Sequence, residues 1–424
     1  MTPVGGLAGA PSLPGDKSIA HRAAILAAIA DGDSILANFP ESADPQSTLS
    51  VLGQLGVPIV TERDGVHVEG VGIDGLVKPE TPLDCGNSGT TMRLMAGVLS
   101  GCPFESTLVG DESLSQRPMN RIADPLRKMG ARVDLVDGLP PVTIVGGNLK
   151  PIDYDLPVAS AQVKSCILLA GLSVDEPTTV FESIQTRDHT ERMLGLDSIL
   201  IGGKRAISSS SGDRPGGRTW VIPKDFSAAA FFLAAGSIIP NSKLVLQGVG
   251  INPTRTGLLT VLRAMGAELT VINERSFSGE NIADIGVESA PLHGLAVSEE
   301  IVPNIIDELP ILAVAATQAS GTTIVRGAGE LRVKESDRIH AIVSNLTILG
   351  ADITEHEDGF EIHGPTRLRG GHVDSFNDHR IAMVMSIAGL VADGQTVVRG
   401  GECADVSFPG FLREIENLSV EKIA

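Results

Sequence analysis

The stretch Leu126–Gly147, LRKMGARVDLVDGLPPVTIVGG, decides the class of fold. An apolar-periodic segment runs into Met129-Gly130, and an alternating segment follows, broken once by Asp137-Gly138. The pattern predicts a helix that stops on a left-handed C′ glycine. An Asp-Gly pair between alternating runs then predicts a β-hairpin. The same order recurs in Val51–Gly70, Val261–Ile272 and Leu346–Gly364, with stops at Gly56, Gly266 and Gly350. In three of the four copies the turn carries Asp-Gly. Helix–glycine–strand is common in α/β proteins, but four copies in one chain predict a repeat architecture. Their irregular spacing argues against a regular solenoid and for two globular α/β domains, each of several helix-plus-hairpin units.

A second element is a small-residue helix behind a polar head. It is expected in Gly15–Gly32, Cys85–Gly101, Ser160–Ser173, Lys224–Ile238, Ile306–Gly321 and Phe376–Gly394. Bodies rich in Ala and Leu suit helices buried on most faces. Six such heads can direct six positive helix ends at one place, which would attract anions.

Composition narrows the partners. The chain has 424 residues and a net charge of −19, so a general polyanion-binding surface is disfavoured. Aromatics are 3%, too few for a base-stacking surface. Nucleic acid is therefore not expected as a partner. Mean hydropathy is +0.17, that of a globular chain. The longest apolar run, Ala228–Ala235, is far short of a membrane span, and the first residues do not read as a signal peptide. Cys85, Cys102, Cys166 and Cys403 form no Cys-x-x-Cys pair, and reduced, mainly buried thiols in a cytoplasmic protein are expected.

Leu13–Arg22, LPGDKSIAHR, looks like half of a nucleotide loop, but Asp16 and Pro11 stand where a P-loop needs glycines. What remains is a helix start with Lys17, Ser18 and Arg22, able to hold one phosphate or carboxylate. The same residues also read as an N-cap serine with two solvated cations. CGNSGTTMR offers Gly89 for close backbone approach to a ligand, and Arg117 before Pro118 is biased to an extended backbone. SAQVKS supplies Ser160, Gln162 and Lys164 at a helix head. Arg187, Asp188 and His189 follow in QTRDHTERML, which alone reads as a charged, exposed helix start. Asp307 in IDELP is a candidate general base. In LRVKESDRI two cations, Lys334 and Arg338, flank Glu335 and should keep it ionised unless ligand charge offsets them. FNDHR ends the series with His379 and Arg380.

In this order, GDKSIAHR, GNSGTTMR, QRP, SAQVKS, TRDHTERM, IDELP, RVKESDR and NDHR resemble the enolpyruvyl transferases. The closer resemblance is to the 5-enolpyruvylshikimate-3-phosphate (EPSP) synthases of the second class, from Leu13 to about Leu412. The resemblance implies a two-domain α/β (α+β) fold, an inside-out α/β barrel in which each domain holds three βαβαββ repeats around buried helices. It places one domain at about 14–222 and joins 1–13 to 223–424 in the other, with two crossovers as hinge and the substrates in the cleft between. It implies no metal and no organic cofactor, and a monomer is expected.

The implied reaction joins shikimate 3-phosphate to phosphoenolpyruvate and releases phosphate. By resemblance, shikimate 3-phosphate meets Lys17, Ser18, Arg22, Ser160, Gln162, Arg187, Asp307 and Lys334. Phosphoenolpyruvate meets Lys17, Gly89, Arg117, Gln162, Arg338 and Arg380. Asp307, Glu335 and Lys17 are the implied catalytic groups. The chain departs from common family patterns at Ala161, Leu94 and Val406, the last where many members carry lysine. Gly89 is retained, which implies room for the inhibitor glyphosate. The competing readings are the related transferase acting on UDP-N-acetylglucosamine, which usually has a reactive loop cysteine, an RNA 3′-terminal phosphate cyclase, and a non-catalytic small-anion binder.

Overall fold

The structure, a computed structural model, describes residues 1–421. The chain forms two compact units. One comprises Met1–Pro14, Lys224–Arg275 and the chain from Asn281 onward; the other comprises Gly15–Pro223 with Ser276–Glu280.

In the unit built on Gly15–Pro223, three four-stranded sheets share one plan. In the middle one, Leu83–Asp84 lies parallel to Glu105–Val109, which pairs antiparallel with Leu139–Val145, itself hairpinned to Arg132–Val136. A buried helix, Gly89–Ser100, links the parallel pair, and a second helix, Asn120–Met129, leads into the hairpin. The sheets through Thr178–Glu182 and Ser34–Ala37 repeat this order; the latter takes its parallel partner, Thr219–Val221, from the far end of the segment.

All four expected glycine stops are present. Gly56, Gly130, Gly266 and Gly350 have φ of 87°, 106°, 100° and 86°. After each, the next N–H reaches back five residues: Val57 to Leu52, Ala131 to Leu126, Ala267 to Leu262 and Ala351 to Leu346, at 2.9–3.2 Å. This closes the helix carbonyls that no later turn would satisfy. A fifth copy is present. Gly195 (φ 72°) stops the short helix His189–Leu194, Leu196 N–H reaches Glu191 O at 2.8 Å, and Gly202-Gly203 turns the hairpin. Beyond the helix His379–Val391 the hairpin is replaced by a 3₁₀ turn, the helix Phe411–Leu418 and a short strand paired with Gly6–Gly9.

The six small-residue helices form as expected: Lys17–Ala28, Gly89–Ser100, Ala161–Gly171, Phe226–Ile238, Leu309–Gln318 and His379–Val391. Each is buried over most of its length. Small side chains are a packing requirement here. A Cβ on Gly97 would lie 2.3 Å from Cys166 O, so the second and third of these helices touch backbone to backbone. Among the described residues no helix is long and apolar enough to cross a membrane.

Candidate active site

Within each unit, polar helix heads meet. In the Gly15–Pro223 unit, Asp16 caps Lys17–Ala28 by accepting from Ile19 N at 2.9 Å. The cap is therefore Asp16, and Ser18 lies inside the first turn. Lys17 Nζ sits 2.8 Å from Asp44, 27 residues on, in a half-buried pair. Arg22 is buried, which overturns the solvated-cation reading. Its Nε donates to Thr190 Oγ1, Nη1 to Ser18 O and Nη2 to Ser165 Oγ, all at 2.8 Å. Burial pushes its pKa down to about 10 against the pull of Glu191 and Asp16, and the Arg187 charge pushes the same way as burial.

Ser88 caps the helix that begins at Gly89. A Cβ on Gly89 would lie 2.7 Å from Arg93 Nη1 and 3.5 Å from Arg117 Nη1, so two guanidinium groups crowd this head. Arg117 has the extended backbone expected before proline (φ −90°, ψ 135°), and its Nη2 donates to Asn87 Oδ1 at 2.7 Å. Gln162 accepts from Arg93 at 2.7 Å and donates to Thr90 at 2.9 Å. Gly89, Arg117 and Gln162 are thus brought together, with Arg93 between them. Ser160 caps Ala161–Gly171, accepting from Val163 N. Lys164 is not at that head; it is buried among carboxylates. Asp188 and His189 are buried too, so their segment is not the exposed helix start its charges suggest.

A hydroxyl chain crosses this region. His21 Nδ1 lies 2.7 Å from Thr48 Oγ1, which lies 2.7 Å from Thr91 Oγ1, which donates to Ser88 Oγ. Thr91 spends its hydrogen on Ser88, so Thr48 donates to Thr91 and His21 Nδ1 carries the proton that Thr48 accepts. Burial, the largest effect, pushes the His21 pKa down to about 3 from 6.5, with Asp44 opposing it. The unfolded chain therefore takes up a proton first as pH falls below 6.5. The stability that neutral His21 contributes is full above that value and is lost progressively toward pH 3. At about pH 5 the loss is about 2 kcal/mol. Urea unfolding near neutral pH and near pH 5 should show it in the parent protein. It should be absent in His21→Asn, which donates to Thr48 but does not titrate; an equal loss in both would show that His21 is not the group responsible.

In the other unit one buried guanidinium organises the site. Arg338 Nε and Nη2 donate to Asp378 at 2.7 and 3.2 Å, Nη2 also to Glu335 at 2.6 Å, and Nη1 to Asp307 at 3.4 Å. Burial alone would depress its pKa, but Asp378 and Glu335 outweigh it and raise it well above the usual value. Arg380 Nη1 donates to Asp307 O at 3.1 Å, and its Nη2 is 3.7 Å from Asp307 Oδ2. Glu308, at the head of Leu309–Gln318, is buried and accepts from Ser227 Oγ at 2.5 Å. Lys334 turns to Glu330 at 3.4 Å. Asp307, Glu335, Arg338 and Arg380 are thus gathered at one point. The group that sequence reasoning missed is Asp378: its only signal was an aspartate before a helix, which reads as a cap. Cys102, raised to about 12 by burial, is not a reactive loop thiol.

Comparison with known proteins gives a single answer. Residues 1–415 match the family described as EPSP synthase (3-phosphoshikimate 1-carboxyvinyltransferase). The chain is 53% identical over 419 residues to a 3-phosphoshikimate 1-carboxyvinyltransferase of Salinibacter ruber, covering 98% of this chain and 97% of the relative. It is 47% identical to one of Oceanobacillus iheyensis, with the same coverage. Among solved structures, an EPSP synthase from Acinetobacter baumannii superposes with a TM-score of 0.88 at 45% identity, over 99% of this chain and 98% of that one. The enolpyruvyl transferase NikO from Streptomyces tendae, 18% identical with a TM-score of 0.76 over 98% and 96% of the two chains, shares the fold.

Proposed function

The chain belongs to the EPSP synthase family, and from that premise we propose how its side chains divide the family's reaction. The enzyme transfers the enolpyruvyl group of phosphoenolpyruvate to the 5-hydroxyl of shikimate 3-phosphate and releases phosphate. Lys17, Gly89, Arg117, Gln162, Arg338 and Arg380 receive phosphoenolpyruvate. Lys17, Ser18, Arg22, Ser160, Gln162, Arg187, Asp307 and Lys334 receive shikimate 3-phosphate. Asp307 takes the proton from the 5-hydroxyl as it attacks C2 of phosphoenolpyruvate. Glu335, with Lys17, delivers a proton to C3. The tetrahedral intermediate then eliminates phosphate: the C2–O bond to phosphate breaks as Glu335, left a carboxylate by the first step, takes a proton back from C3 and the double bond re-forms, the leaving charge being held by Lys17, Arg117, Arg338 and Arg380.

The observation that carries this assignment is Arg338 holding Asp307, Glu335 and Asp378 at once. A guanidinium beside a carboxylate makes it a poor base. When the phosphate and carboxylate of phosphoenolpyruvate arrive, their negative charge offsets Arg338 and Arg380. Asp307 is then released to accept a proton, and Glu335, no longer held as a carboxylate by Arg338, can take one up from solvent and pass it to C3. The substrate itself thereby arms the acid and base, and premature protonation is avoided. Gly89, with no Cβ beside Arg93 and Arg117, leaves space that glyphosate can share with phosphoenolpyruvate. Four free cysteines, three buried and one half-buried, support an enzyme of the reducing cytoplasm.

The test is phosphate release by the purified protein with no metal added. Release that requires both shikimate 3-phosphate and phosphoenolpyruvate is the expected result. Saturable binding of shikimate 3-phosphate without release would mean a site that binds but lacks the chemistry, with Val406 the first position to restore to lysine.

A further inference from the structure

The helix Ala161–Gly171 carries Lys164 and Ser165 side by side, both fully buried. The Lys164 ammonium lies 3.0 and 3.1 Å from the two oxygens of Glu182 and 2.7 Å from Glu191. Arg205 approaches Glu182 at 3.4 Å from the other side. Glu182 Oε2 accepts from Thr186 twice, from its N–H at 3.1 Å and its hydroxyl at 2.9 Å. Thr186 immediately precedes Arg187. At the far end of the same segment, Thr190 accepts from Arg22 Nε and donates to Ser165 Oγ at 2.7 Å, and Ser165 also accepts from Arg22 Nη2. One ammonium therefore clamps both ends of Thr186–Glu191, and two hydroxyls beside it lock Arg22.

Stability alone does not explain this cluster. Taking an ammonium and two carboxylates out of water is costly, and an apolar cluster of similar volume is often as stable or more so. What charged, bidentate contacts supply over apolar packing is fixed geometry. Resting on the assignment of Arg22 and Arg187 to shikimate 3-phosphate, we propose that Lys164 is a positioning residue. Through Glu182, Thr186 and Glu191 it holds Arg187 at a set place relative to Arg22, matched to one phosphorylated carboxylic acid.

The experiment measures KM for each substrate, kcat, and the kcat/KM preference for shikimate 3-phosphate over shikimate. Lys164→Met is the direct variant, but it takes the ammonium from buried Glu191 and leaves Glu182 with Arg205 and Thr186 alone. Thr186→Val cuts the same clamp without an unpaired charge and keeps the test open if Lys164→Met does not fold. Thr186→Val is expected to raise KM for shikimate 3-phosphate about tenfold, the loss of one charge-assisted hydrogen bond. The preference for the phosphorylated acceptor should fall in proportion. KM for phosphoenolpyruvate and kcat should stay within about twofold, and Thr186→Ser should restore the parent values. An unchanged KM in folded Thr186→Val, or an equal loss for both substrates, overturns the inference. Arg187→Ala is the control on its premise. If that variant keeps its preference for the phosphorylated acceptor, the binding assignment falls and the inference with it; if Arg187→Ala loses the preference and Thr186→Val does not, only the inference falls.

Discussion

Asp307→Ala is expected to slow phosphate release by about 10²–10⁴-fold, the usual contribution of a positioned general base. Binding of shikimate 3-phosphate should survive largely intact, because several other side chains are assigned to it. The fold should survive as well. Asp307 is Arg338's most distant acid partner, at 3.4 Å, and Arg338 keeps Asp378 and Glu335 when it is gone. No buried cation is stranded, so the large penalty of a broken internal ion pair does not arise. Asp307→Asn keeps the shape and the oxygen but cannot take a proton, so its rate should fall as far. Titration calorimetry with shikimate 3-phosphate and steady-state phosphate release separate the two effects. If Asp307→Asn retains more than about a tenth of the parent rate while Glu335→Gln does not, Glu335 is the main base. A binding protein without catalysis would instead show no release in the parent chain.

The elements that could be read from the sequence are those set by one residue or one short pattern. A C′ glycine answers a local demand for positive φ, which is why Gly56, Gly130, Gly266 and Gly350 marked their helices correctly. Gly195 answers the same demand, but its helix has only six residues and its charges suggested an exposed start. Asp188, His189 and Glu191 are in fact buried, and the last two find partners far along the chain. Glu191 meets Lys164, 27 positions away, and His189 meets Glu280 at 2.7 Å, across 91 residues. Arg22 was misread by the same logic: its acceptors Ser165 and Thr190 are 143 and 168 residues on. Charge on a sequence looks solvated until tertiary structure supplies the partner. The candidate site residues themselves are named by motif resemblance. The partners that fix them in place, Asp44, Thr190 and Asp378, belong to no chemistry a motif announces.

Asp378→Ala should strongly destabilise the unit that holds it. The side chain is fully buried, and all its acceptor positions are engaged. Oδ2 takes hydrogen bonds from Arg338 Nε and from Ser336 Oγ at 3.1 Å; Oδ1 takes Arg338 Nη2 and, at 2.9 Å, Arg380 N. Burial works against its charge, but Arg338 and then His379 overcome this and hold the carboxyl below its usual range. Removing it leaves the buried Arg338 Nε without its acceptor and the guanidinium with Glu335 and Asp307 alone, a loss approaching about 3 kcal/mol, and uncaps the helix His379–Val391, about 1 kcal/mol more. Asp378→Asn divides these terms. Its oxygen can still cap the helix, but its amide nitrogen must face Arg338, donor against donor. Arg338 then keeps the amide oxygen at Nη2 but loses its Nε acceptor and the carboxylate charge, and it leans more heavily on Glu335 and Asp307, the two groups assigned to move protons. We expect kcat/KM for phosphoenolpyruvate in Asp378→Asn to fall by about 10²–10³-fold, comparable to losing one positioned donor to the reacting charge. Urea unfolding of the two variants beside the parent, with kcat/KM for each substrate, checks both terms. If Asp378→Asn keeps a normal kcat/KM for phosphoenolpyruvate, Arg338 does not need its buried carboxylate to do chemistry. The anchoring of Arg338 by Asp378 would then serve only the fold.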